Sequence, residues 1–523
     1  MINIIKKYLS SIIIFVLCIL VMVLTMKGHL GNPDENILIE KYWSENGPFE
    51  LSPDRGRFAL LYSMVENKSL HFSIPIARFV APDVAYFNNS YVSLFAPTLS
   101  FILIPGYVIG KILGASQIGT FAVISIFAIL NVFLIRKIAS SLGAKDIYAT
   151  LGGLIFLFAT PAFAYSVSLY QHHVTTFLIL LSIYILLKFN SIAAAAAVWG
   201  LTAISISLDN PNAIFMLPIA LYAGFRLIEF RKLRKVYKIK FKVLGVFAVF
   251  FALLPIVPFL IYNDIVNGSP LQLSGTLPGV QVISQSGEAF TKAEDGSLIP
   301  LSDSKRQEEN LNKSTSGFFR ARNLVNGIYT QTVSPDRGTL FFAPVMLFAF
   351  IPVYFKSKIG KNIKSLMIAV AGFIVLLYSL WGDPWGGWAF GSRYLIPAYA
   401  IGAIFVSLAL KKIFSKRIFG LLFIVILAFS ITVNTLGAIT TNRNPPEVEA
   451  VPLQEITKQI ENYSFDRNWS YLVGGNSKSV FFDESAHKYL TSVEYFLVVL
   501  TIVETIVLMP ALYILINNKE KSI

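Results

Sequence analysis

The sequence predicts an all-α polytopic membrane protein, a bundle of about twelve transmembrane helices with interfacial helical structure in its first long loop. Three observations predict it. The 523 residues are 55% hydrophobic and only 14% charged, against roughly 25% charged in an average soluble chain. Apolar runs of about 20 residues recur, and each can cross a hydrocarbon core of roughly 30 Å as a helix. Lys and Arg, 44 in all against 30 Asp and Glu, sit in short clusters between those runs, as in loops retained in the cytoplasm. The excess of positive charge is therefore topological, and no nucleic-acid partner is expected. The single cysteine, Cys18, lies inside the first run, so an intramolecular disulfide is excluded.

The first element follows from a short basic N-terminus, Met1 to Lys7, and the apolar run Tyr8 to Met26. Without a small-x-small cleavage signature it reads as an uncleaved span with the N-terminus inside. The polar stretch 27–96 is then a first large outside loop. The next apolar segment, 97–113, is punctuated by Pro105, Gly106 and Gly110. If it crossed, Arg136 and Lys137 would fall outside, so it reads as a helix lying at the outer interface. Further spans follow near 117–135, 147–165, 174–188, 191–208, 211–226, 243–262, 339–355, 364–381, 394–410, 418–438 and 489–516. Both termini and the basic clusters at Arg136 to Lys145, Arg226 to Lys242, Lys356 to Lys364, Lys411 to Arg417 and Lys519 to Lys521 come out cytoplasmic. Four polar segments come out on the other face: 27–96, 263–338, Trp381 to Arg393, and 440–487. The stretch Ser284 to Ser316, rich in Ser, Glu, Lys and Asp, reads as a mobile loop within the second of these.

The span interiors hold almost no charge, Glu504 being the main exception, so an ion path through the bilayer is not indicated. The outside segments instead collect Asp34, Glu35, Asp54, Arg55, Arg57, Asp83, Arg320, Arg322, Asp336, Arg337, Asp383 and Arg393 beside Tyr and Trp. Carboxylates and guanidiniums at a membrane surface suit a substrate with a phosphate head and a lipid tail. Arg clamps the anion, and a carboxylate takes a proton from an attacking hydroxyl. Neither HExxH nor CxxC metal spacing is present, and neither a Walker nor a Rossmann glycine loop, which argues against nucleotide-sugar chemistry.

The stretch Ser52-Pro53-Asp54-Arg55-Gly56-Arg57-Phe58-Ala59-Leu60-Leu61, then Val65-Glu66, Pro82-Asp83, Phe87-Asn88-Asn89-Ser90-Tyr91-Val92-Ser93 and Ala96-Pro97, resembles the first periplasmic loop of bacterial GT-C glycosyltransferases. Those enzymes use polyprenyl-phosphate sugars and are related to protein O-mannosyltransferases and the lipid A aminoarabinose transferase. Tyr165 with His172 and His173, Tyr262-Asn263 with Gly268-Ser269-Pro270, Asp336-Arg337-Gly338, and Trp385-Gly386-Gly387-Trp388 through Arg393-Tyr394 agree in order. Thr98 stands where the family pattern carries Gly. The resemblance covers roughly residues 8 to 410 and implies a GT-C-like catalytic module over 1–410, leaving 411–523 as an unassigned two-span region.

The resemblance implies an acidic residue of the first loop near the reacting centre and basic residues on the lipid phosphate. Asp54 is the first choice for the base; the alternative is a Ser-Pro-Asp-Arg-Gly turn opening a helix, since the same five residues recur at Ser334 to Gly338. Asp34 and Glu35 are rivals, or a helix-start cap. Asp83 would hold sugar hydroxyls or a metal, or simply a surface turn. Arg57, Lys111, Arg337 and Arg393 are candidates for the donor phosphate, against the habit of a boundary Arg to snorkel. His173, Tyr262 and Trp388 are candidates for substrate contact, although Trp also belongs in the interfacial belt.

The expected activity is inverting transfer of a sugar from a polyprenyl phosphate to an unknown lipid, glycan or protein acceptor, at the periplasmic or exterior face of a bacterial plasma membrane. No cofactor is required, and Asp54 with Asp83 would permit a divalent cation. The rival classes are a transporter or flippase of lipid-linked sugar, and a polysaccharide ligase or polymerase using a lipid diphosphate donor.

Overall fold

A computed structural model describes residues 2–44, 46–233, 236–241, 245, 247–292, 297–301, 315–351 and 359–517. Among these, six helices are long and apolar enough to cross a membrane: Ser116–Ser141, Ala248–Asn267, Lys361–Ser379, Arg393–Ile413, Arg417–Ile439 and Ser492–Asn517. Shorter apolar helices at Leu9–Thr25, Asp146–Phe158, His172–Lys188, Ile192–Leu208 and Asn212–Phe225 fall on predicted spans. The protein is an integral membrane protein, mostly helical.

Two predicted spans are broken, both at proline. The 147–165 run is a helix to Phe158 and then a single turn, Ala162–Tyr165, capped by Pro161. The 339–355 run splits into Thr339–Phe342 and a 3-10 segment Pro344–Phe350, with Ala343 at φ −150° between them. A residue ahead of proline is pushed out of the α region, which ends the first piece.

The all-α expectation needs correcting in three places. Val84–Phe87 and Ser90–Ser93 form an antiparallel hairpin, turned by Asn88 and Asn89 at φ 47° and 57°. Asn tolerates the left-handed region that such two-residue turns demand. Gly279–Val280 adds a third strand, tying the first long loop to the second. A second hairpin, Ile228–Leu233 with Val236–Phe241, lies in the basic segment read as a loop. A third small sheet joins Val282–Ile283, Ala289–Lys292 and Leu298–Pro300. Of the stretch read as a mobile loop, 293–296 and 302–314 lie outside the described residues, as do 352–358 and the basic Lys519 and Lys521.

The buried apolar side chains form two cores, one through the helix bundle and one beneath the first long loop. In the bundle, Gly152 and Gly153 let one helix lie tightly between two others. A Cβ on Gly152 would come within 1.8 Å of Ser407 Oγ, and one on Gly153 within 2.7 Å of the Val132 carbonyl. Small residues are how apolar helices gain close packing where hydrophobic driving force between them is weak. The helix Thr98–Ile112 turns back through Gly114 onto Ser116–Ser141 and leaves Phe101, Ile109 and Ile112 exposed.

The four polar segments meet at one end of the bundle. Lys27 donates to Asn442 at 3.1 Å, Thr441 donates to Glu50 at 2.7 Å, and Asn323 donates to the Trp381 carbonyl at 2.8 Å. At the other end, Arg136 pairs with Asp146 at 2.6 Å, and Arg226 donates to the Phe189 carbonyl at 2.9 Å. Charge patterning thus sorts the loops into the same two groups as the three-dimensional contacts do.

Candidate active site

A cavity of about 440 Å³ opens where the polar segments converge, and Asp83, Asp383, Trp388, Arg393, Tyr394 and Arg443 are among its lining residues. Its floor begins with the helix Ser52–Val65, whose second residue is proline, pre-set for a helix start. That helix carries Asp54, 1% exposed and flanked in the chain by the lining residues Pro53 and Arg55. Oδ1 of Asp54 accepts from the Leu169 backbone N–H at 3.1 Å. Burial pushes the Asp54 carboxyl up to about 7, against the pull of Arg57 and Arg393. A carboxylic acid poised near neutrality can exchange a proton under ordinary conditions.

One helical turn on, Arg57 donates to the Pro53 carbonyl at 2.8 Å and to Gln171 Oε1 at 2.6 Å. Its guanidinium carbon sits 4.5 Å from the Phe95 ring centroid and 5.4 Å from that of Tyr170. Gln171 passes the contact on, donating from Nε2 to Asp209 Oδ2 at 2.8 Å. Asp209 caps the end of Ile192–Leu208, and burial raises its pKa while Gln171 and Arg57 lower it.

Arg393 closes the far side. Its Nη2 donates to the Gly386 carbonyl at 2.7 Å, and its guanidinium carbon lies 4.7 Å from the Tyr170 ring centroid. Gly386 and Gly387, at φ 74° and 61°, make the tight turn that brings the Gly386 carbonyl to Arg393. Nε and Nη1 of Arg393 have no hydrogen-bond partner, nor do the Tyr170 hydroxyl and His172 Nε2. His172 stacks on Tyr170 with centroids 5.8 Å apart and meets Tyr394 edge-on at 6.4 Å. Four orphaned polar atoms are thus carried by Tyr170 and the two side chains that meet its ring, Arg393 and His172. Each buried group left unpaired costs about 1–3 kcal/mol, so this corner, next to the lining residue Arg393, holds unmet hydrogen-bonding capacity.

The sequence candidates separate cleanly on this geometry. Asp54, Asp83, Arg57, Arg393 and Trp388 come together; Ser52 donates to Asp83 Oδ2 at 2.7 Å, and Trp388 Nε1 donates to Glu449 at 2.7 Å. Arg337 is one that stands apart from this group. Its guanidinium donates to the carbonyls of Trp385, Asp336, Gly387 and Asn444 at 2.7–3.0 Å, so it holds the cavity wall from behind. Lys111 is another, because it is engaged by both oxygens of Glu66, at 2.8 and 2.7 Å, and is not a lining residue. Asp34 accepts from the Asn36 and Ile37 N–H groups as a helix cap, and Glu35 accepts from Asn67 and Ser73. His173 turns into the bundle, 2.8 Å from the Ala162 carbonyl, leaving its neighbour His172 at the site. Tyr262 is buried in the second core. Among the described residues no group of three or more His, Cys, Asp or Glu gathers as a metal would require.

Sequence reasoning missed His172, the Gln171 to Asp209 link, and Arg443. One signal was available: Asp209 is the only acidic residue between Asp146 and Glu229. The role of 440–449 had no comparable signal, since it arises from contacts with Glu50, Arg337 and Trp388.

Fold and site together define a polytopic helical membrane protein with a charged, aromatic-lined cavity at one end of its bundle. No family model matches the chain, and no curated protein matches it. Among solved structures it is similar to ArnT from Cupriavidus metallidurans in the apo state, at 12% identity and TM-score 0.47, over 97% of this chain and 77% of that one. The same protein bound to undecaprenyl phosphate aligns at 12% identity and TM-score 0.49 with the same coverage.

Proposed function

We propose that the protein is a membrane glycosyltransferase that moves a sugar from a polyprenyl phosphate carrier to an acceptor hydroxyl, with inversion, on the non-cytoplasmic face. The twelve-pass topology with both termini inside belongs to this reading, as does the helix Thr98–Ile112 at the outer interface. The observation that carries it is the orphaned cluster: Arg393 Nε and Nη1 beside Tyr170 and His172, next to a buried aspartate poised near neutrality.

In this reading Arg393 binds the donor phosphate and stabilises the charge that grows on it as the anomeric C–O bond breaks. Asp54 accepts the proton of the acceptor as its oxygen forms the new glycosidic bond. Leu169 occupies Oδ1, so Oδ2 takes the proton. Arg57, held by Gln171, keeps the Asp54 carboxylate accessible by its charge. Asp83 positions sugar hydroxyls. No resident cation is needed, because a phosphate monoester leaving group can be met by guanidinium alone.

The test is incubation of the purified full-length protein in nanodiscs with a labelled polyprenyl monophosphate sugar and a panel of envelope acceptors. Label in a new covalent product, lost in Asp54→Asn, is the expected result. Movement of label between leaflets without bond cleavage would establish a flippase instead, and inertness toward the monophosphate alongside use of a diphosphate donor would establish a ligase.

A further inference from the structure

Three arginines line the cavity, Arg55, Arg393 and Arg443, and they differ in what already holds them. Arg55 donates to the carbonyls of Phe49 and Ala81 at 3.0 and 3.1 Å. Arg393 belongs to the Tyr170 and His172 corner. Arg443 is contributed by the C-terminal region, and its guanidinium carbon lies 5.4 Å from the Trp388 ring centroid. Among the described residues no carboxylate forms an ion pair with it.

The backbone around Arg443 is fixed on both sides. Its own N–H donates to Thr441 Oγ1 at 2.8 Å, and the Asn442 N–H donates to Glu50. The Asn444 carbonyl accepts from Ala389 at 2.9 Å and Arg337 at 3.0 Å. Asn444 in turn donates to Asn468 at 2.7 Å. Of the lining carboxylates, Glu50 is engaged by Thr441, Asn442 and Lys478, and Asp83 accepts from Ser52 and Asp383 from the Gly386 N–H. The other guanidinium on Trp388, Arg467 at 5.5 Å, is paired with Glu461 at 2.8 Å. A rigid mount therefore presents to the cavity one cation without an ion-pair partner, steadied by its contact with the Trp388 ring, and such a guanidinium can take an anion bidentately.

We propose that Arg443, with Trp388, forms a second anion-binding subsite that recognises a phosphate or carboxylate on the acceptor, distinct from the donor phosphate at Arg393. This rests on the glycosyltransferase reading and names its acceptor class as anionic. Arg443 is a specificity-determining residue in this assignment, since it contacts substrate without touching the reacting atoms.

The experiment is a thermal-shift titration of full-length protein in nanodiscs. Undecaprenyl phosphate is added first, to saturation, and inorganic phosphate second, with chloride at matched ionic strength as the control. In wild type the second ligand adds its own stabilisation. Arg443→Gln raises the half-saturation for inorganic phosphate by at least about tenfold, the scale of one charge-assisted contact, and leaves that for undecaprenyl phosphate unchanged; Arg443→Lys retains part of the response. Arg393→Gln does the reverse. Equal phosphate responses in wild type and Arg443→Gln would overturn the subsite, as would weakened undecaprenyl phosphate binding in that variant. Should Arg443→Gln melt early without ligand, Trp388→Phe provides the second test, with a weakened phosphate response expected and an unchanged one counting against the subsite. Failure of the underlying reading has its own signature: wild type unresponsive to undecaprenyl phosphate in the first titration.

Discussion

The Leu169 backbone N–H donates to Oδ1 of Asp54 at 3.1 Å, joining residues 115 positions apart. The bond fixes the carboxyl against the broken segment between two helices of the bundle, so the helix of the first long loop and the bundle register on each other at the proposed base.

Replacing Asp54 by Asn keeps an oxygen for Leu169 and removes the acid. Loss of a general base costs about 10²–10⁴-fold in rate, and the wild-type kcat/KM should rise with pH and level off above about 7. Stability moves the other way. The carboxyl titrates near 7 folded and near its ordinary 3.8 unfolded, so the neutral form favours the fold. That contribution is complete below about pH 4 and is lost as pH rises through 7. Asp54→Asn should therefore raise Tm most above pH 7, by at most roughly 4 kcal/mol in stability. An inactive variant that is no more stable at pH 8 than wild type would refute the burial argument.

Arg393→Lys should behave like Arg393→Gln. Lysine keeps the charge but loses the planar face stacked on Tyr170 and the fork that reaches Gly386. A fall in kcat/KM of about 10²-fold or more is expected for both. Full activity in the lysine variant would reduce Arg393 to a point charge.

Asp209 is a positioning residue that acts on Arg57 through Gln171. Asp209→Asn should lower kcat several-fold with donor KM little changed, while Tm stays level or rises, because burial already disfavours the Asp209 charge. It should also shift the acid limb of the pH profile, since Arg57 tunes Asp54. A structural role alone would lower Tm and leave that limb in place.

The rival acids should be catalytically silent. Asp34→Ala removes a helix cap and should cost about 1 kcal/mol of stability, with transfer retained; Glu35→Gln and Lys111→Ala should likewise keep kcat within about twofold, as for surface changes away from the site. A thousandfold loss on replacing Glu35 would relocate the base.

Arg337→Lys should destabilise rather than weaken substrate binding. One ammonium cannot replace four carbonyl contacts, and buried carbonyls left unpaired cost about 1–3 kcal/mol each. Denaturation should report a lowered Tm with donor KM preserved in the fraction that remains folded.

The same five residues, Ser-Pro-Asp-Arg-Gly, occur at Ser52 and at Ser334, and their fates show what local sequence could tell. At Ser52 they begin the helix itself, with proline at its second position, whereas at Ser334 they form a turn ending in Gly338, the cap of Thr339–Phe342. Asp54 ends beside the cavity, whereas Asp336 accepts from Ser334 and from the Glu447 N–H and serves as a brace. The Asn88-Asn89 turn was legible in principle, and the family motif drew attention to its residues without revealing the hairpin.

The sequence alone determined the solvent, the sorting of polar segments into two groups, and the residues of the Ser52 helix and the Trp385 to Arg393 turn. Those follow from hydrophobic run length and charge placement, which act locally along the chain. Tertiary structure alone decided that Arg393 keeps unpaired donors while Arg337 spends its own on carbonyls, that His172 rather than His173 faces the site, and that 440–449 supplies a cavity wall. Each of these depends on which distant backbone groups satisfy a buried cation, and such partners are fixed only when the helices pack.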